Sequence, residues 1–272
     1  MRVLTIIKKV LGRFFAERFY DQAAQTAYYL LLSIMPFFIF VLSLISYFPL
    51  HEEDVLVFIE PYAPAETYSL IHENVQEVLE KGKGQVLSVS LISAFWLSSM
   101  AIQSLVRSLN DAYGIKRSLP FFKGLLRDLL VTMIFMFLVP LSLIIPLVER
   151  FLAEVFSSDV RSFWEIAAPV LSDWPIAKWM LGTLFLLGFF ILFYQILPHK
   201  RSRILSVLPG AMFATVCWQG VSILFSEYTG VVSYTRIYGQ LAGIIILMLW
   251  FYLTAVVLLV GGLMNAENIQ RE

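Results

Sequence analysis

Ser99, Gln103, Arg107 and Asn110 fall at helical spacing inside a long apolar run. Residues three, four, seven or eight apart share a helix face, so the four form one polar stripe about 17 Å long at roughly 1.5 Å per residue. A second stripe reads Thr215, Gln219, Ser222 and Ser226, and a third reads Gln25, Tyr29 and Ser33 before Pro36. Proline lacks the backbone donor and frees the carbonyl of Leu32. These groups are amides, hydroxyls and a guanidinium, which exchange hydrogen bonds without titrating near neutral pH. Their chemistry suits passage of a polar solute or an amphiphile, or plain bonding between helices that carries nothing across. Ser99, Gln103 and Arg107 are expected to face inward with Gln219 as their partner, although Arg107 has two simpler uses: pairing with Asp111 one turn on, or extending its head to lipid headgroups.

Several chemistries are disfavoured. No Asp, Glu, Lys or His is expected near the middle of a span, so a midplane proton carrier is not expected. His51, His72 and His199 are scattered, without HxH or HExxH spacing, and Cys217 is the single cysteine. Neither a metal centre nor an internal disulfide follows, and no cofactor is expected. Metal-dependent RNA cleavage needs clustered acids or histidines, and no serine–histidine arrangement stands out, so the chain is expected not to be an enzyme.

The elements that position these residues are membrane spans. Of 272 residues 59% are hydrophobic and 15% charged, and the mean hydropathy is +0.77. Soluble domains carry about a quarter charged residues. Stretches near the roughly 20 apolar residues that cross a bilayer lie at 27–50, 86–108, 125–148, 178–197, 204–227 and 239–263. The prediction is an all-α bundle of about six transmembrane helices forming one membrane domain over 1–272. A cleaved signal peptide is not expected. Lysines and arginines concentrate on the side holding both termini, including Lys8, Lys9, Arg13, Lys116, Arg117, Lys200 and Arg201. Both termini are therefore expected in the cytoplasm, and the protein in a bacterial plasma (inner) membrane. Anionic lipid headgroups account for that basic face without invoking nucleic acid.

Residues 3–19, with Val3, Ile7, Val10 and Phe14, predict a helix in the cytoplasmic interface. The first external loop repeats Leu70, Ile71, Asn74, Val75, Val78 and Leu79 at helical spacing, an amphipathic external helix. The 149–177 loop carries Phe151, Phe156, Phe163, Trp164 and Trp174, suited to interfacial anchoring. Gln103, Asp111 and Gly114 are matched by Gln219, Glu227 and Gly230, the spacing an inverted internal repeat would leave. Gly239 and Gly243 form a GxxxG that lets backbones approach, and it would also suit a homo-oligomer.

AYYLLLSIMPFFIF (27–40), SLVRSLNDAYG (104–114), PGAMFATVCW (209–218) and YGQLAGIIILMLWFYLTAVVLLVGGLMNA (238–266) resemble, in order and spacing, the YihY/BrkB family of bacterial inner-membrane proteins. The resemblance implies six or more spans and a plasma-membrane location. The family once bore the name ribonuclease BN, and virulence-linked resistance and transport are among its proposed roles. Its motifs fall on Tyr28, Ser33, Pro36, Arg107, Asn110, Tyr113, Pro209, Gly210, Trp218, Tyr238, Gly239, Trp250 and Asn265. This adds Tyr28 and Tyr238 to the expected pathway and Gly210 to the expected packing positions. One departure is Leu263, where a GAELNA-like ending would carry an acid. The functional expectation is a transporter or translocation pathway; the competing one is an envelope scaffold.

Overall fold

The structure, a computed structural model, describes residues 2–45, 83–115, 120, 122–137, 175–199, 202–231 and 241–269. Seven helices occupy them: α1 (Arg2–Ala16), α2 (Phe19–Ile45), α3 (Lys83–Ala112), α4 (122–137), α5 (Pro175–Ile196), α6 (Ile204–Val231) and α7 (Ala242–Ile269). The expected external helix, the 149–174 part of the aromatic loop, Tyr238 and Gly239 lie outside the described residues. Among the described residues, four stretches are long and apolar enough to cross a membrane: Phe19–Val41, Ser88–Ala112, Ile204–Tyr228 and Ala242–Ile269. A shorter apolar stretch is Gly182–Ile196. The protein is an all-α membrane bundle.

Helix ends depart from the hydropathy windows because polar residues continue the helices beyond their apolar runs. α2 starts at Phe19 rather than 27, taking in Asp21 and Gln22, and α7 continues past 263 to Ile269. α3 stops through its backbone. Gly114 adopts φ 65°, its N–H bonds the Asp111 carbonyl at 3.0 Å, and the Ile115 N–H bonds the Asn110 carbonyl at 2.8 Å. This is a Schellman ending, which a glycine supplies without the steric cost of a Cβ. α1 turns into α2 at Arg18, a non-glycine residue held at φ 57°.

α2 and α3 pack along most of their length, and α7 lies against α2, α3 and α6, while α5 packs on α6. Small buried residues explain the closeness of the first pair: Ala23, Thr26 and Ala27 on α2, and Ala101, Ser104 and Ser108 on α3. The Thr26 and Ser104 hydroxyls share a hydrogen bond of 2.9 Å across that seam. α4 is joined by rings, Phe135 edge-on to Phe189 and Phe193 of α5, and Phe137 edge-on to Phe40 of α2.

α1 does not present the face expected of it. Val10 and Phe14 are buried against the bundle, whereas Ile7, placed with them by the sequence pattern, is exposed. The reason is that α1 is an integral layer of the bundle end, packed against α7 and α2.

Candidate functional site

Two places concentrate polar side chains within the bundle. The first joins α3, α5, α6 and α7 near the end where α3 and α5 finish and α6 begins. Pro209 interrupts the α6 backbone ladder one residue before Gly210. The Gly210 N–H donates to Asn265 Oδ1 at 2.7 Å, and Asn268 Nδ2 donates to the Ser206 carbonyl at 3.3 Å. Gly210 also faces the Gly261 backbone so closely that a Cβ there would collide with the Gly261 carbonyl and the Asn265 side chain. A Cβ on Gly261 would in turn meet the Tyr194 hydroxyl, which donates to the Leu258 carbonyl at 2.8 Å. The Tyr113 hydroxyl is buried beside Asn265, and burial pushes its phenol well above the ordinary value, so it stays neutral.

Asn110 belongs to the same end. Its Oδ1 accepts the His199 N–H at 2.9 Å, and its Nδ2 meets His199 Nδ1. With Nδ1 accepting, the imidazole proton is assigned to Nε2. Asn110 therefore fastens the end of α3 to the turn after α5. Nearby, Arg127 of α4 donates through Nη2 to the carbonyls of Ile196, Leu197 and Pro198 at 2.5, 2.8 and 2.6 Å. These carbonyls close the α5 C-terminus, where a cation also meets the negative end of the helix dipole.

The second place is a groove between α5 and α6 of about 570 Å³, lined by Gly182, Thr183, Phe185, Leu186, Trp218, Gln219, Ser222 and Ile223. Phe185 and Ile223 are 57% and 62% exposed, so its mouth is on the outside of the bundle. Gln219 Nε2 donates to Thr183 Oγ1 at 3.1 Å across the groove. Gln219 lies about 22 Å along α6 from Ile204 at roughly 1.5 Å per residue, well inside the apolar span. A small polar centre is thus set in a mainly apolar cleft.

The structure regroups the polar stripes. Gln219 reaches Thr183 on α5 rather than Gln103 on α3, because α7 packs against both α3 and α6 while those two share no comparable contact. Gln103 is half-buried, and Arg107 is exposed rather than turned inward. Hydroxyls expected to line a path are bonded to their own helices: Ser33 to the Leu30 carbonyl, Ser99 to Trp96, Thr215 to Ala211 and Ser222 to Trp218, all at 2.7–2.9 Å. Gln25 and Tyr28 are exposed on α2, and Pro36 is half-buried within it. Gly243 is exposed with open space where a Cβ would stand.

Thr183, Gly182, Tyr194, Gly261 and His199 were not distinguished by the sequence as site residues. For Thr183 the available signal is the one serine or threonine in an apolar helix. Among the described residues no group of three His, Cys, Asp or Glu is placed to hold a metal.

A family model described as Virulence factor BrkB matches residues 10–272. The chain belongs to the BrkB family. Among BrkB relatives, the ribonuclease-like protein YfkH of Bacillus subtilis (strain 168) is 36% identical over 264 residues, covering 97% of this chain and 94% of its own. A UPF0761 membrane protein of Aliivibrio fischeri (strain ATCC 700601 / ES114) is 30% identical, over 92% of this chain and 79% of its own. No solved structure matches. In this BrkB protein, motif residues from separate stretches meet at one end of the bundle: Asn110 in the last turn of α3 and Tyr113 just after it, Pro209 and Gly210 in α6, and Asn265 in α7.

Proposed function

We propose that this multi-pass membrane protein moves an amphiphile between membrane leaflets, with its apolar part in the α5–α6 groove and its polar part passing Gln219 and Thr183. The observation that carries this reading is the groove itself, apolar, open to the outside of the bundle and crossed by one amide–hydroxyl pair. A polar solute fits less well, because the groove is mainly apolar and the stripe hydroxyls of Ser33, Ser99, Thr215 and Ser222 donate to carbonyls of their own helices. Polar groups at this depth are costly unless they have partners, and a passing headgroup would be one. The cytoplasmic placement of both termini in a bacterial inner membrane is part of the same reading and rests on the Lys/Arg distribution.

The test is transbilayer movement of a headgroup-labelled phospholipid in proteoliposomes. Wild type is expected to exceed protein-free vesicles, and Gln219→Leu to slow the movement about tenfold, the effect of losing about 1.4 kcal/mol of polar stabilisation. Equal rates in wild type and empty vesicles would sink the proposal. An envelope scaffold is the second reading, favoured by the same locally bonded hydroxyls.

The non-enzymatic expectation extends to the ribonuclease-like name carried by one relative. Asp128 is buried and pairs with Arg127 at 3.3 Å, while Asp111 is exposed on α3. Purified protein given RNA and Mg²⁺ is expected to leave it intact. Cleavage that co-purifies with the chain and vanishes in Asp111→Ala would show otherwise.

A further inference from the structure

α1 uses only half of its apolar surface on the bundle. Val10 and Phe14 are buried there, but Ile7, Leu11 and Phe15 are 45%, 47% and 64% exposed. They recur every fourth residue, so they form one continuous stripe along the helix beside the buried face. Lys8 is exposed and borders that stripe on the helix surface, and Gly12 follows it one turn on. Residues 2–16 contain Arg2, Lys8, Lys9 and Arg13 and no acid. Apolar residues flanked by cations on a helix beside a membrane bundle are the arrangement of a helix lying in the headgroup layer.

α1 is also held rigidly enough to present that stripe. Lys9 Nζ lies 3.5 Å and Arg13 Nη1 3.7 Å from the buried carboxylate of Glu267 in α7. Arg13 Nη2 donates to the Ala112 carbonyl at the end of α3 at 2.9 Å, and Arg13 also pairs with Glu17. Lys9 and Arg13 thus fasten α1 to the bundle, while Lys8 stands on the stripe's border.

We propose that the Ile7–Leu11–Phe15 face of α1, with Lys8 beside it, is a docking surface for the anionic leaflet, entering the headgroup layer while Lys9 and Arg13 anchor the helix to α7 and α3. The occupant is a lipid surface rather than a second copy of the chain, because two copies meeting through this face would bring together helices that carry cations and no acid.

The test uses the full chain with Cys217→Ser and a spin label at Leu11→Cys or, as a control, Gly12→Cys, where a new side chain meets open space. The protein is placed in phosphatidylcholine vesicles with or without phosphatidylglycerol. With phosphatidylglycerol, the label at 11 is expected to be open to oxygen and shielded from an aqueous nickel chelate, and the label at 12 open to the chelate. Lys8→Gln, added to the Leu11 variant, is expected to lower the docked-to-free ratio about fivefold. A label at 11 open to the chelate overturns the proposal. So does equal depth in neutral vesicles, which removes any role for anionic headgroups. Shielding from both reagents with dipolar broadening would instead assign the face to a second copy.

Discussion

Gly210→Ala lowers the stability of the bundle by about 1–3 kcal/mol, the usual cost of forcing atoms into a packed interior. The added methyl collides with the Gly261 carbonyl and the Asn265 side chain, and backbone cannot rotate away as a flexible side chain can. Relieving the collision separates α6 from α7 and weakens the 2.7 Å bond from the Gly210 N–H to Asn265. The control is the same change at Gly182, Gly220 or Gly243, where a Cβ meets nothing within 4 Å. There the substitution is expected to be neutral or to stabilise by up to roughly 1 kcal/mol, since alanine loses less entropy in a helix. Melting of the purified variants in detergent separates the outcomes: equal melting temperatures across all four positions would contradict this account of the α6–α7 contact.

Arg127→Met is expected to cost roughly 3–5 kcal/mol. Methionine retains much of the packing volume but removes the donor from three carbonyls that close α5 and leaves Asp128 buried without its adjacent cation. Arg127→Lys is expected to restore part of the loss, because an ammonium keeps the charge but not the planar fork that gives Nη2 to the carbonyls and Nη1 to Asp128. The same melting assay checks both. A methionine variant as stable as wild type would mean that the α5 carbonyls are satisfied without Arg127.

The membrane architecture was legible because a hydrocarbon core demands long apolar runs, and composition alone records them. Helix ends were less legible. Asp21 and Gln22 lower hydropathy without stopping α2, and Gly114 ends α3 through a backbone conformation that hydropathy does not register. The stripes were legible as polar faces, but not the partners they would find. A serine or threonine can return its proton to a carbonyl three or four residues back, as Ser99 and Thr215 do, and spacing does not distinguish that from lining a path. Partner choice for Gln219 depends on which helix packs beside α6, a tertiary fact that put Thr183 of α5 in place of Gln103. Asn265 was visible as a motif residue, yet its bond to Gly210 spans 55 positions and depends on how closely α6 and α7 approach.

The central claim, passage of an amphiphile along the α5–α6 groove, is tested most directly by filling that groove. Gly182→Phe adds a ring at a groove-lining position where a Cβ meets nothing within 4 Å, and Gly243→Phe adds the same ring at an equally open position of α7 outside the groove. In the labelled-phospholipid assay, the first is expected to fall to the rate of protein-free vesicles and the second to match wild type. Equal rates in the two variants would contradict the account.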